Sequence, residues 1–73
     1  MTTTDFDLRG DHITLAALLK ASGLAASGGD AKALATGGGV QVNGQAESRR
    51  GRKLRAGDEV VSGEVCIRIR AAT

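Results

Sequence analysis

The pair Asn43-Gly44, set between Val40-Gln41-Val42 and Gln45, constrains the fold of this chain more than any other feature. Asn-Gly flanked by alternating apolar residues favours a two-residue hairpin with a type I′ turn, because both central residues must take positive φ. The pair therefore predicts a strand over 40–42, a return strand over 45–48 and the register between them. The segment after the hairpin matters equally. Arg49, Arg50, Arg52, Lys53 and Arg55 place five of the ten Lys and Arg residues in seven positions, with no acid among them. Guanidinium groups packed this closely repel one another, so such a run expects an anionic partner. A basic tail would be flexible. A basic loop fixed to a sheet can hold its charges in a set geometry.

The rest of the chain supplies two helices and more strands. Phe6-Asp7-Leu8-Arg9 alternates apolar and charged residues and reads as a short half-buried strand, broken by Gly10-Asp11. Thr14 is placed to cap a helix over 15–22, with Leu15, Leu18 and Leu19 on one face. Gly23 is placed to end it through a left-handed conformation. Ser27-Gly28-Gly29-Asp30 has the spacing of a capping box, in which the hydroxyl accepts from the Asp30 N–H and the carboxylate reaches back. It opens a second helix over 28–36, with Ala31, Leu34 and Ala35 inward. The Gly37-Gly38-Gly39 run ends that helix. Leu54 anchors the basic loop and Ala56-Gly57-Asp58 forms a turn. Strands are expected over 59–61 and 65–69, joined near Gly63, with Val65, Ile67 and Ile69 facing one way. The order of strand, two helices and small sheet is α+β.

Composition narrows the function. Seventy-three residues predict one small domain over 1–73. Such a chain buries only about 60% of its unfolded surface, which leaves a thin margin of stability. A catalytic domain beside a binding domain does not fit in this length, and no paired acid–base constellation stands out, so the chain reads as a non-enzyme. The single Cys66 rules out an internal disulfide and a cysteine-based metal cage. It is expected as buried packing in the last strand. His12 has no second His or Cys pair to share a metal with, so no cofactor and no metal are expected. The N-terminus lacks the basic and apolar regions of a signal peptide, and a reducing, cytoplasmic setting is expected. The formal net charge is only +2, but it is unevenly spread. Residues 1–48 hold three bases and five acids, a net of −2, whereas residues 49–73 hold seven bases and three acids, a net of +4. Arg68 and Arg70 on the polar side of the last strand either extend the basic surface or keep that edge soluble.

The near absence of aromatic residues bears on the kind of anion. Sequence-specific readers of single strands stack bases on Phe, Tyr or Trp. Phe6 is the only aromatic residue here and lies far from the basic loop in sequence. No basic recognition helix is available for a DNA major groove. What remains is recognition of backbone and shape, with arginines forking onto the phosphates of folded or double-helical RNA. A solvated, solubility-giving face is the bland alternative for the same cluster. A protein-interaction adaptor, docking the loop on an acidic partner within a ribosome-associated complex, is another.

The order of these motifs resembles a known family. The helix pair, then Gly39-Val40-Gln41-Val42-Asn43-Gly44, then Ala56-Gly57-Asp58-Glu59-Val60 is similar to the S-four domain, the RNA-binding module also called the αL motif. More narrowly, Thr14-Leu15, Ser27-Gly28-Gly29-Asp30-Ala31-Lys32, Val42-Asn43-Gly44 and Glu47-Ser48-Arg49-Arg50-Gly51-Arg52-Lys53-Leu54 resemble small bacterial proteins that consist of little more than this domain. The resemblance covers about residues 13–70. It implies two helices packed on a small, curved, mostly antiparallel sheet, and an RNA site between the helix pair and the loop after the hairpin. It implies Lys32, Arg49, Arg50, Arg52 and Lys53 as the RNA-facing set, with ribosomal or transfer RNA as the partner. Arg55 lies beyond the Leu54 anchor and is the lesser contact. Many members carry basic residues at the start of the first helix and just after the cap of the second, where this chain has Ile13-Thr14 and Gly28-Gly29. The backbone N–H groups of Gly28 and Gly29 can meet a phosphate instead. A plain loop-to-helix junction is the alternative at that position.

Overall fold

The computed structural model describes residues 2–72. Its elements are β1 (Thr2–Leu8), β2 (Ile13–Thr14), α1 (Leu15–Ala21), α2 (Gly28–Thr36), β3 (Val40–Val42), β4 (Gln45–Ala46), β5 (Lys53–Leu54), β6 (Glu59–Ser62) and β7 (Val65–Ala71). The hairpin turn has Asn43 at φ 53° and Gly44 at φ 83°, both in the region a type I′ turn demands. The return strand is shorter than the predicted 45–48. Only Gln45 and Ala46 pair with β3, and one further bond, from the Glu47 N–H to the Val40 carbonyl at 3.0 Å, holds the chain as it leaves.

Both helices start on a side-chain cap. The Thr14 hydroxyl accepts from the Ala17 N–H, and the Ser27 hydroxyl accepts from the Asp30 N–H, each at 3.2 Å. Among the described residues the Asp30 carboxylate makes no return bond, so half of the predicted capping box forms. Helix α1 stops at Ala21 with Ser22 as its cap, and Gly23 follows at φ 83°. Leu15, Leu18 and Leu19 are buried on α1, as are Ala31 and Ala35 on α2. The predicted inward Leu34 is only half-buried.

Five strands form one sheet in the order β1-β7-β6-β3-β4. The β3–β4, β3–β6 and β6–β7 pairs are antiparallel. Val40, Val42, Val60, Ile67 and Ile69 join the helix leucines in one core cluster that also takes in Leu54. The architecture is thus α+β, two helices against a mostly antiparallel sheet. Val65 is half-buried at the margin, while Cys66 is buried as expected. Burial, followed by the charge of Glu59, pushes the Cys66 thiol up from its ordinary pKa.

Two pairings depart from the sequence reading. The first strand runs from Thr2 to Leu8 rather than over 6–9, and it pairs in parallel with β7, placing Phe6 opposite Ile69. The basic loop is also not a free loop throughout. Its end pairs with the residues before α1, as Ile13 with Leu54 and Thr14 with Lys53. Leu54 is fully buried there, so the predicted anchor is also half of a ladder.

Candidate nucleic-acid interface

The basic loop is fastened to the beginning of α1 by its own backbone. The first N–H groups of any helix lack partners inside the helix. In α1 the Leu15 N–H donates to the Arg52 carbonyl and the Ala16 N–H donates to the Arg50 carbonyl, both at 2.9 Å. The Thr14 hydroxyl takes the next N–H, and the β2–β5 ladder continues the attachment. Arg50, Arg52 and Lys53 therefore sit on backbone held by hydrogen bonds, in the fixed geometry that a tail could not provide.

Glu47 organises the side chains. Its carboxylate is 8% exposed and accepts from the Arg49 N–H at 3.1 Å, from Arg49 Nε and Nη2 at 3.2 Å each, and from Arg52 Nη1 at 2.9 Å. The Arg49 guanidinium, then that of Arg52, then the Arg49 N–H hold the Glu47 carboxyl at about 2, well below its ordinary value. The same pairing raises the pKa of Arg49. Arg49 remains 75% exposed despite it. Arg50 and Lys53 are exposed and have no acid partner among the described residues. Arg55 is engaged elsewhere. Its N–H donates to Asp58 at 2.8 Å, and its guanidinium reaches the Asp11 carbonyl at 3.4 Å. That hydrogen bond from Arg55 is the main reason the Asp58 carboxyl lies below its usual pKa.

Asn43 does more than make a turn. Its amide Nδ2 donates to Asp58 at 3.1 Å and its Oδ1 accepts from the Glu59 N–H at 2.9 Å. The hairpin tip is thereby tied to the turn that closes the basic loop. Sequence reasoning gave Asn43 only the turn, and gave Glu47 no role at all. The one signal for Glu47 was an acid two positions before one arginine and five before another.

Lys32 is exposed on α2, and Gly28 and Gly29 form its first turn. Helix α2 packs on α1, whose start carries the loop. Among the described residues no hydrogen bond or ion pair joins α2 to the loop itself. The two helix starts differ in one respect. The first two N–H groups of α1 are taken by the loop, whereas those of Gly28 and Gly29 have no protein acceptor among the described residues.

Arg68 and Arg70 do not extend the basic surface as unpaired charges. Arg68 pairs with Glu59 at 3.4 Å, and Arg70 pairs with Asp7 at 2.7 Å and Asp5 at 3.5 Å. The parallel β1–β7 pairing brings acids from the first strand onto the bases of the last. The charge asymmetry seen along the sequence is cancelled on this side of the sheet. It survives at the loop.

A helix pair, a type I′ hairpin and a loop of cations docked on the first helix form a recognisable set. A family model described as S4 domain, the S-four module, matches residues 6–70. The chain belongs to the S4 domain family. This family is generally associated with RNA binding. No curated protein matches the chain. Of the residues that the sequence pattern assigns to RNA, this S4 domain carries Arg49, Arg50, Arg52, Lys53 and Arg55 on and just beyond the loop after the hairpin, and Gly28, Gly29 and Lys32 on α2.

Proposed function

We propose that the protein is a non-catalytic, cytoplasmic RNA-binding protein that recognises structured RNA, ribosomal or transfer RNA, through backbone and shape. The observation that carries this reading is the loop itself. Arg49, Arg50, Arg52 and Lys53 are clustered on backbone bonded to α1, and Arg50 and Lys53 have no acid to neutralise them. Cations carried on a hydrogen-bonded backbone suit phosphates already held at fixed spacing in a folded RNA. Lys32 and the two open N–H groups of Gly28 and Gly29 offer a second contact, since a helix start favours a phosphate through its free donors and dipole. Arg55, drawn to Asp11 and Asp58, contributes least. Association with the ribosome fits a small domain that grips RNA without cutting or modifying it.

Binding of a fluorescent hairpin RNA, titrated at several salt concentrations, tests the reading. Four or five phosphate contacts predict a slope of log affinity against log salt of about −3 to −4. A flat response, or unchanged affinity after Arg49, Arg50, Arg52 and Lys53 are changed to Ala, refutes it. Pull-downs before and after ribonuclease provide a separate check. Partners that survive ribonuclease would indicate an acidic protein as the ligand of the loop.

A further inference from the structure

An acid at the centre of a site for anions is electrostatically adverse, and Glu47 is such an acid. Its carboxylate is nearly buried, which penalises the charge unless donors surround it. Four donors do, all from Arg49 and Arg52. The geometry of the contact is uneven in a useful way. Arg49 gives the carboxylate its Nε and Nη2 edge, and Arg52 gives only Nη1. Among the described residues Nη1 of Arg49, and Nε and Nη2 of Arg52, have no acceptor. The planar fork of a guanidinium can serve two acceptors at once, one on each edge.

We infer that Glu47 is a positioning residue: it splints Arg49 and Arg52 at fixed spacing so that their remaining N–H groups are already aimed when an RNA phosphate arrives. This inference rests on the RNA-binding reading above and adds a sign to it. By charge alone, removing Glu47 favours an anion. A unit charge roughly 6 Å from a phosphate in water alters affinity about threefold. Splinting works the other way. A long side chain that must be immobilised on binding weakens affinity by about two- to tenfold, and two such side chains are at stake. The second effect is the larger, so Glu47→Gln is expected to weaken RNA binding about fivefold although the protein becomes more positive.

The experiment compares RNA-hairpin affinity of the wild type, Glu47→Gln, Asp11→Asn and Arg49→Ala/Arg52→Ala with and without Glu47→Gln, with melting curves for each. Asp11→Asn adds the same positive charge while leaving the splint intact, and is expected to tighten binding slightly. Glu47→Gln is expected to weaken binding in the wild type and to lose that effect when Arg49 and Arg52 are alanine. Tighter binding by Glu47→Gln overturns the inference, as does equal weakening in both backgrounds, which would mark a role in the fold at large. Arg49→Lys guards against a variant that fails to fold, since this side chain is 75% exposed. It breaks the fork without changing charge and is expected to weaken binding severalfold. Unchanged affinity in that variant overturns the inference whatever Glu47→Gln does. A wild type that binds no RNA, or that is indifferent to the loop cations, overturns the RNA reading itself and the splint with it.

Discussion

Replacing Gly28 and Gly29 by alanine separates what the fold needs from what a ligand needs. Neither glycine has a positive φ. A methyl group built on Gly28 meets nothing within 4 Å, and one on Gly29 meets only the Ser27 hydroxyl at 3.8 Å, an ordinary contact. The fold therefore gives no steric reason for glycine at either position. Glycine is also a poor helix former, and a Gly→Ala change at a compatible site stabilises by about 0.4–1 kcal/mol. The double variant should gain about 1–2 kcal/mol. At about 4–8 °C per kcal/mol for a domain of this size, its melting temperature should rise by about 4–16 °C. The same methyl groups would stand between a phosphate and the open N–H groups of Gly28 and Gly29. A hydrogen bond to a charged group is worth about 1.5–3 kcal/mol, so RNA binding should weaken about tenfold or more. Thermal melting by circular dichroism and anisotropy with a hairpin RNA read the two effects on one sample. A variant that melts lower than wild type refutes the stability argument. One that melts higher and binds RNA unchanged places the start of α2 outside the contact.

Three further outcomes are expected. Arg50→Ala with Lys53→Ala should flatten the salt slope by about 1.4–1.8, at 0.7–0.9 per phosphate contact, with little change in melting; an unchanged slope in the binding titration rules these two out as phosphate contacts. Glu47 titrates at about 2 in the fold against an ordinary 4.5, so its stabilisation is complete above pH 4.5 and is lost as pH falls through 2. The stability difference between wild type and Glu47→Gln, from denaturant melts at stepped pH, should stay constant above pH 5 and shrink below it; a pH-independent difference refutes this. Leu54→Ala removes a fully buried side chain and should cost about 2–5 kcal/mol, a large share of the roughly 4–11 kcal/mol available to a domain this small; a denaturant midpoint near that of wild type would show that the loop is not anchored there.

The features legible in the sequence were local. The Asn43-Gly44 turn, the Thr14 and Ser27 caps and the leucine face of α1 each depend on residues within about four positions, and all appear in the structure. The anchor at Leu54 was legible because one leucine interrupts a run of charges. The two-residue ladder of Ile13-Thr14 with Lys53-Leu54 was not, because strands that short carry no periodicity. Nor was the role of Glu47, since its burial depends on where the hairpin ends. The pairing of Arg70 with Asp5 and Asp7 needed the parallel contact between the first and last strands, which no neighbouring residue announces. For the interface, sequence found the cations but could not tell the unpaired Arg50 and Lys53 from the splinted Arg49 and Arg52.

The β1–β7 pairing also bears on how the protein comes to be folded. Asp7 and Arg70 are separated by 63 positions, and closing so large a loop costs entropy before any contact repays it. The helix pair and the Asn-Gly hairpin need only near neighbours and can form early. The sheet's outer strand must wait for the chain's last strand to be present. During synthesis β1 would therefore leave the ribosome long before β7, and this edge of the sheet would close only once β7 has emerged.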